Sequence, residues 1–128
     1  MFVRFVTPII HPQSRVSSGL FRAFDLYEDQ DLIPACYLDR ADELFEWFND
    51  NLPVPDRLSR VVGRFRIAFG VCWLKPSAVD HICYMWDLAA IYEASGIPVQ
   101  LLKSSRPGYL LYEDEFQIVA QPTTSLAR

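Results

Sequence analysis

The sequence contains no hydrophobic run long enough to cross a bilayer. Its longest uncharged apolar run extends from Ile67 to Leu74, less than half of the roughly 20 residues that a membrane-spanning helix needs. The apolar start, residues 2–10, includes Arg4 and is followed by polar residues and prolines, which is typical of a β-strand and not of a signal peptide. No repeat or low-complexity tract is visible. The sequence therefore predicts a single domain without a membrane association.

Cysteine is scarce, and the three cysteines, Cys36, Cys72 and Cys83, are odd in number and scattered. Secreted disulfide frameworks usually contain an even number of cysteines, so we expect a reducing, cytoplasmic compartment. A packed, inert thiol is the ordinary outcome for cysteines in apolar stretches such as these. His81 and Cys83 point in different directions if both lie on one helix, so no metal site is predicted.

Strong catalytic and cofactor signatures are also lacking. The chain has no Gly-rich phosphate loop ending in Lys-Ser/Thr, no Gly-x-Gly-x-x-Gly, no nucleophile elbow and no Cys-x-x-Cys pair. Glu113, Asp114 and Glu115 resemble a catalytic carboxylate pair, but acids at a hairpin turn are more typical of a solvated surface that protects a sheet edge. We predict no catalytic residue and no cofactor, and the leading hypothesis is a small protein-binding or regulatory domain.

The chain has no broad excess of basic residues. Its net charge is −4, with ten acids against six arginines in residues 1–62 and six charges of each sign in residues 63–128. This balance argues against general nucleic-acid binding through a basic face. The acidic first half would suit a basic partner, although solvated helix surfaces have the same composition.

What is present predicts an α+β fold in the order β-α-α-β-α-β-β, in which the closing hairpin is written as one β element. Helical periodicity predicts helices at 18–29, from Pro34 to about Asp50, and at 77–95, whereas alternation predicts strands at 2–10, 64–74, 97–103, 109–112 and 116–120. Strand 64–74, helix 77–95 and strand 97–103 form a β-α-β unit, whose strands should run parallel. We therefore predict a two-layer sandwich at 1–121, with helices mainly on one face of a mixed sheet of about five strands. A flexible tail is predicted at 122–128.

The third predicted helix, 77–95, is apolar on most of its circumference. We therefore expect it to be packed on more than one side. Ser77 with Asp80 three residues later resembles a capping box, and Gly96 occupies the position just past the helix, where a left-handed conformation is common.

Basic and polar side chains follow both strands of the predicted β-α-β unit. Ligands commonly bind beyond the carboxyl ends of such strands, and helix N-termini suit anions. The alternative hypothesis is therefore an anion or phosphate-ester ligand site, possibly of an enzyme, at residues 75–81 and 103–106. Its candidate residues are Lys75, Ser77, His81, Lys103, Ser104, Ser105 and Arg106. Solvated charges at strand ends would give the same pattern.

An aromatic cluster on the second predicted helix contains Phe45, Trp47 and Phe48. Phe45 and Phe48 fit the buried stripe, whereas Trp47 lies toward its edge. Core packing is the ordinary outcome for such residues, but tryptophan is also enriched at interface hot spots. Trp47 is therefore the candidate partner-binding residue, for another protein or for self-association.

Overall fold

The structure, a computed structural model, describes residues 1–10, 17–52, 60–62, 65–67 and 71–121. Within these ranges the helices are α1 (Leu20–Asp29), α2 (Ala35–Asn51) and α3 (Val79–Ala94). The strands are β1 (Phe2–Ile10), β2 (Ser17–Gly19), β3 (Arg60–Val62), β4 (Phe65–Ile67), β5 (Val71–Leu74), β6 (Gln100–Ser104), β7 (Tyr109–Glu113) and β8 (Gln117–Gln121). The α+β class and the predicted order of elements are confirmed.

The predicted strand 64–74 is divided in the structure. Its first part, β4, pairs with β3 in a separate two-stranded sheet, and its second part, β5, belongs to the main sheet. Residues 63–64 and 68–70 lie outside the described residues, as does the tail predicted at 122–128. The short strands β2 and β3 have no counterpart in the prediction.

Strand β1 lies between the two strands of the predicted β-α-β unit. Val3 pairs with Leu74 of β5 on one edge and with Lys103 of β6 on the other, and both pairings are antiparallel. Strands β5 and β6 therefore run parallel to each other, as predicted, but they are not neighbours. Every pairing among the described strands is antiparallel, so the prediction of a mixed sheet was wrong: the inserted β1 separates the parallel strands.

The main sheet is not flat. Its five long strands follow the order β6-β1-β5-β8-β7, which separates β6 from β7 by about 19 Å in a flat sheet. The chain from Ser104 to Tyr109 can span at most about 18 Å, even fully extended. The two edges must therefore approach each other, and Pro107 in this connection is buried.

The two faces of the sheet contain separate hydrophobic clusters. Val3, Phe5 and Leu74 pack with residues from all three helices in the main core. Val71, Trp73 and Ile118 point to the other face and form a smaller cluster that contains no helical residue. Helices therefore cover one face, as predicted, and none in the described ranges is long and apolar enough to span a membrane.

The two ends of α3 differ in how well they match the prediction. Gly96 has φ +82°, and the N–H groups of Gly96 and Ile97 donate to the carbonyls of Glu93 and Tyr92, which is a Schellman motif. At the other end the capping box was wrong. The N-cap is Ala78, without a side-chain hydrogen bond, because Lys75 and Ala78 close a backbone turn that places Ser77 before the helix.

Candidate functional site

The predicted anion site corresponds to one edge of the main sheet, where β5 and β6 end. Leu74 and Lys103 lie on either side of Val3, which places their Cα atoms about 10 Å apart. The chain therefore brings the neighbourhoods of Lys75 and Lys103 to the same edge, as the β-α-β argument required. The beginning of β1 lies between them, however, so they do not form one continuous binding surface.

Lys75 forms an ion pair at this edge. Its Nζ lies 2.7 Å from Glu113 Oε2, because β5 and β7 run parallel on the two sides of β8 and end at the same end of the sheet. The backbone N–H of Lys75 also donates to the carbonyl of Phe116. An anion at Lys75 would have to compete with a carboxylate that is already in place, which disfavours this lysine as a ligand.

Asp114 organises the turn between β7 and β8. Its Oδ1 accepts hydrogen bonds from the N–H groups of Phe116 and Gln117, and its Oδ2 accepts from Tyr112 Oη and Gln117 Nε2. Partial burial alone would raise the pKa of the Asp114 carboxyl, but these four hydrogen bonds lower it overall. With its oxygens occupied in this way, Asp114 holds the turn together and is not arranged as a general base.

His81 is buried, with 4% of its surface exposed. Its Nε2 lies 2.8 Å from the carbonyl oxygen of Asn51 at the end of α2, and its ring is 4.4 Å from that of Phe116 and 4.9 Å from that of Trp47. A protonated Nε2 would donate to this helix-terminal carbonyl. His81 therefore joins α2, α3 and the β7–β8 turn, in an arrangement typical of a structural histidine.

The other predicted ligand residues remain near the ends of β5 and β6. Ser77, Lys103, Ser105 and Arg106 are exposed, and the backbone N–H of Arg106 donates to Ser104 Oγ at 3.1 Å. No group of three or more His, Cys, Asp or Glu residues in the described part of the chain converges as a metal site. The structure thus places solvated cations here.

Cys72 is the deepest of the three thiols. Although the residue is partly exposed, protein atoms surround the sulfur, and burial raises the pKa of the Cys72 thiol to about 12. The Sγ–H donates to Gln117 Oε1 at 2.9 Å. The adjoining cavity, lined by apolar residues with Arg4 and Cys72, has a volume of only about 50 Å³, whereas small-molecule sites occupy roughly 300–1,000 Å³.

Thiol alkylation at pH 8 should distinguish the three cysteines. Cys36 and Cys83 are exposed and should react in the folded protein, whereas the Cys72 thiolate is about 1,000-fold scarcer than that of an ordinary thiol. We expect two modifications per folded chain and a third only after unfolding in urea, measured by mass spectrometry of peptides. Rapid modification of Cys72 in the folded chain would contradict this placement.

Trp47 lies in the contact between α2 and α3. Its ring centroid is 4.3 Å from that of Tyr84, 4.9 Å from that of His81 and 5.1 Å from that of Phe48. The residue is half-buried and packs against the main core. Much of the tryptophan is therefore used within the chain, and its role in partner binding stays a prediction.

A row of exposed apolar residues on α3 was not singled out from the sequence. Val79, Cys83, Trp86 and Ala90 are all exposed and follow i, i+4, i+7, i+11 spacing, so they share one face of the helix. We call this row the α3 stripe. Val79 is 61% and Trp86 51% exposed. The buried residues of α3, such as Met85, Leu88 and Tyr92, lie on the opposite face.

The helical layer to which the α3 stripe belongs is strongly acidic. Residues 20–52 and 79–94 carry twelve acids against two arginines, whereas the rest of the chain carries four acids and ten bases. All twelve of these acids are exposed. At 100° per residue, Asp80 and Asp87 border the stripe on one side and Glu93 on the other. An ion pair joins Asp87 to Arg40 at 3.1 Å.

The sequence contained a signal for this surface. Its apolar third helix implied more than one packed face, but the described chain covers only the face opposite the α3 stripe. The geometry is the sole guide to function, since a comparison with protein families, curated proteins and solved structures finds no match for this chain. On that geometry, the α3 stripe with its acidic border is the candidate functional site.

Proposed function

We propose that this protein is a small cytoplasmic protein-binding domain that docks a basic, amphipathic segment of another protein on the α3 stripe. The observation that carries the proposal is the second apolar face of α3, which the described chain leaves exposed. The partner's apolar residues would cover Val79, Cys83, Trp86 and Ala90. Its lysines and arginines would face the carboxylates beside the stripe.

The arrangement of α3 supports a docking function over chance exposure. Single exposed apolar residues are common on protein surfaces, whereas contiguous apolar rows rimmed by polar residues are typical of interaction sites. Trp86 is also held in place, since its ring lies edge-on to that of Phe5 with a centroid distance of 4.8 Å. A pre-positioned, half-exposed tryptophan is a typical hot-spot residue, because little conformational entropy is lost when it is covered.

Charge supports a basic partner over the other possible occupants. The twelve exposed acids of the helical layer would attract a basic segment and accelerate its association. Two copies of the same acidic face would repel each other, and nucleic acids and anionic membrane surfaces would be repelled as well. The anion-binding alternative has weaker support, because Lys75 already forms an ion pair with Glu113.

A synthetic peptide can serve as the probe. We suggest an amphipathic helix of leucine and lysine of about 18 residues, or five turns, with its affinity measured by isothermal titration calorimetry. The peptide should bind and should protect Cys83 from alkylation, while Cys36, which lies outside the stripe, keeps its reactivity. Trp86→Ala should weaken binding by about 30-fold, the effect of losing a hot-spot residue.

Two further variants test whether a loss of peptide binding is specific to the α3 stripe. Val79→Asp breaks the stripe without touching Phe5, and an acid at the start of a helix is favourable, so it should weaken binding in a folded protein. Leu32→Ala, at an apolar residue 43% exposed in the turn before α2, should leave binding unchanged. Equal affinity for a peptide of the same composition with a scrambled apolar face would refute the proposal, since bare charge attraction would then account for binding.

A further inference from the structure

One side of the α3 stripe faces helix α2. Asp80, Tyr84 and Asp87 follow i, i+4, i+7 spacing, so they line one side of α3, next to the stripe. The ring centroid of Tyr84 lies 4.3 Å from that of Trp47 in α2, so this side points toward α2. Asp80 and Asp87 are exposed and lie two helical turns apart, about 11 Å along the axis. A segment docked along the stripe would therefore lie beside both carboxylates.

Arg40 of α2 reaches this side and holds one of the two carboxylates. Its Nη2 donates to Asp87 Oδ2 at 3.1 Å, and its Nη1 donates to Glu43 Oε2 at 3.1 Å. Asp80 has no ion-pair partner in the described part of the chain. Arg40 is also one of only two bases, against twelve acids, in the sequence of the helical layer. The carboxylate of Asp87 is therefore neutralised by an arginine, whereas that of Asp80 is open to a cation.

We infer that Arg40 determines where along the α3 stripe the basic residues of a docked partner bind. A lysine or arginine at the level of Asp80 meets an open carboxylate. At the level of Asp87 the same residue meets a guanidinium, and like charges brought together disfavour the complex. The preferred partner therefore carries a base near Asp80 and an uncharged or acidic side chain two turns away. The inference rests on the docking function proposed above and adds a charge pattern to the partner.

The side chain of Arg40 is placed so that a partner can reach it. It is 48% exposed, and a planar guanidinium carries five N–H donors. Its two ion pairs use one donor on each of two nitrogens, so an acidic side chain of the partner can bind the same group. Exposed ion pairs change an equilibrium constant by only a few-fold. Arg40 therefore has a small effect on total affinity, but the effect has opposite signs for bases and acids of the partner.

A double-mutant cycle, measured by calorimetry with the leucine–lysine peptide, tests this role. In the wild-type background Asp80→Asn should weaken binding about threefold, the effect of one exposed ion pair, and Asp87→Asn should weaken it less. In the Arg40→Gln background both substitutions should weaken binding equally, because both carboxylates are then open. Arg40→Gln alone should strengthen binding about threefold. All three residues are exposed, so each variant should keep the circular dichroism spectrum of the wild type.

Arg106→Gln is the matched control. It removes the same charge from an exposed arginine that lies before β7, outside the helical layer, so only long-range attraction changes and the gain in affinity should be smaller. Equal gains from Arg40→Gln and Arg106→Gln would overturn the inference and leave the docking function intact. Equal losses from Asp80→Asn and Asp87→Asn in the wild-type background would have the same meaning. A wild-type chain that does not bind the peptide would refute the docking function, and this inference with it.

Discussion

Replacement of Tyr92 by alanine is expected to lower the free energy of unfolding by about 3–5 kcal/mol, the usual cost of truncating a large buried aromatic residue. Tyr92 is fully buried in α3, and its ring makes edge-on contacts with those of Phe24 and Tyr27 in α1. Its hydroxyl donates to the carbonyl of Leu20. The side chain therefore joins α3 to α1, and urea unfolding followed by circular dichroism would measure its contribution.

Tyr92→Phe separates the packing of the ring from the hydrogen bond. Phenylalanine keeps the ring contacts and loses only the bond to Leu20, so the expected cost is about 1 kcal/mol. An alanine variant that costs no more than the phenylalanine variant would contradict the described packing of α1 against α3. Because domains of this size are stable by only about 5–15 kcal/mol, Tyr92→Ala should also unfold at a visibly lower temperature.

The helices were predictable because their signals are local. In α2, the residues predicted to face the core at helical spacing include Ala41, Leu44 and Phe48, and all three are buried. Gly96 was predicted to follow α3 and has the required positive φ. Each of these features depends on neighbours within a few positions in the sequence, where periodicity and backbone preference determine the outcome.

The order of the strands was not predictable in the same way. The pattern of residues 2–10 does not indicate that this strand inserts between β5 and β6. Its pairing with Leu74 and Lys103 joins segments that are far apart in the chain. The local pattern gave the direction of β5 and β6 correctly through the rule for β-α-β connections. Their separation depends on how all the strands compete for pairing partners. The residue pattern of a single strand carries no information about that competition.

The predicted anion site and the α3 stripe show the same difference between local signals and tertiary contacts. The sequence placed Lys75 and Lys103 at one end of the sheet, but the ion pair between Lys75 and Glu113 depends on β5 and β7 ending together on the two sides of β8. The apolar character of α3 was visible in the sequence, whereas the exposure of Trp86 depends on which face the rest of the chain covers. In both cases the residue type was informative, and the partner was determined by the tertiary fold.

Stability is also expected to decline in alkaline solution. Burial raises the pKa of the Cys72 thiol from an ordinary value of 9.0 to about 12, so the folded state holds this proton over a range in which the unfolded state releases it. The protonated Cys72 thiol therefore makes its full contribution to the free energy of unfolding below pH 9, and this contribution is lost as the pH rises from 9 to 12. One pKa unit corresponds to about 1.4 kcal/mol, so the loss from this thiol approaches 4 kcal/mol by pH 12.

Cys72→Ser isolates this effect from other alkaline titrations. Burial also raises the pKa of Tyr92, which adds a loss of stability at higher pH in every variant that retains this tyrosine. A serine hydroxyl can donate to Gln117 Oε1 as the thiol does, but it does not ionise in this range. The free energy of unfolding of Cys72→Ser should therefore fall less steeply above pH 9 than that of the wild type, by up to one proton. Cys83→Ser, at an exposed thiol, should follow the wild type, and equal slopes for all three proteins would show that the Cys72 thiol ionises as readily in the folded as in the unfolded state.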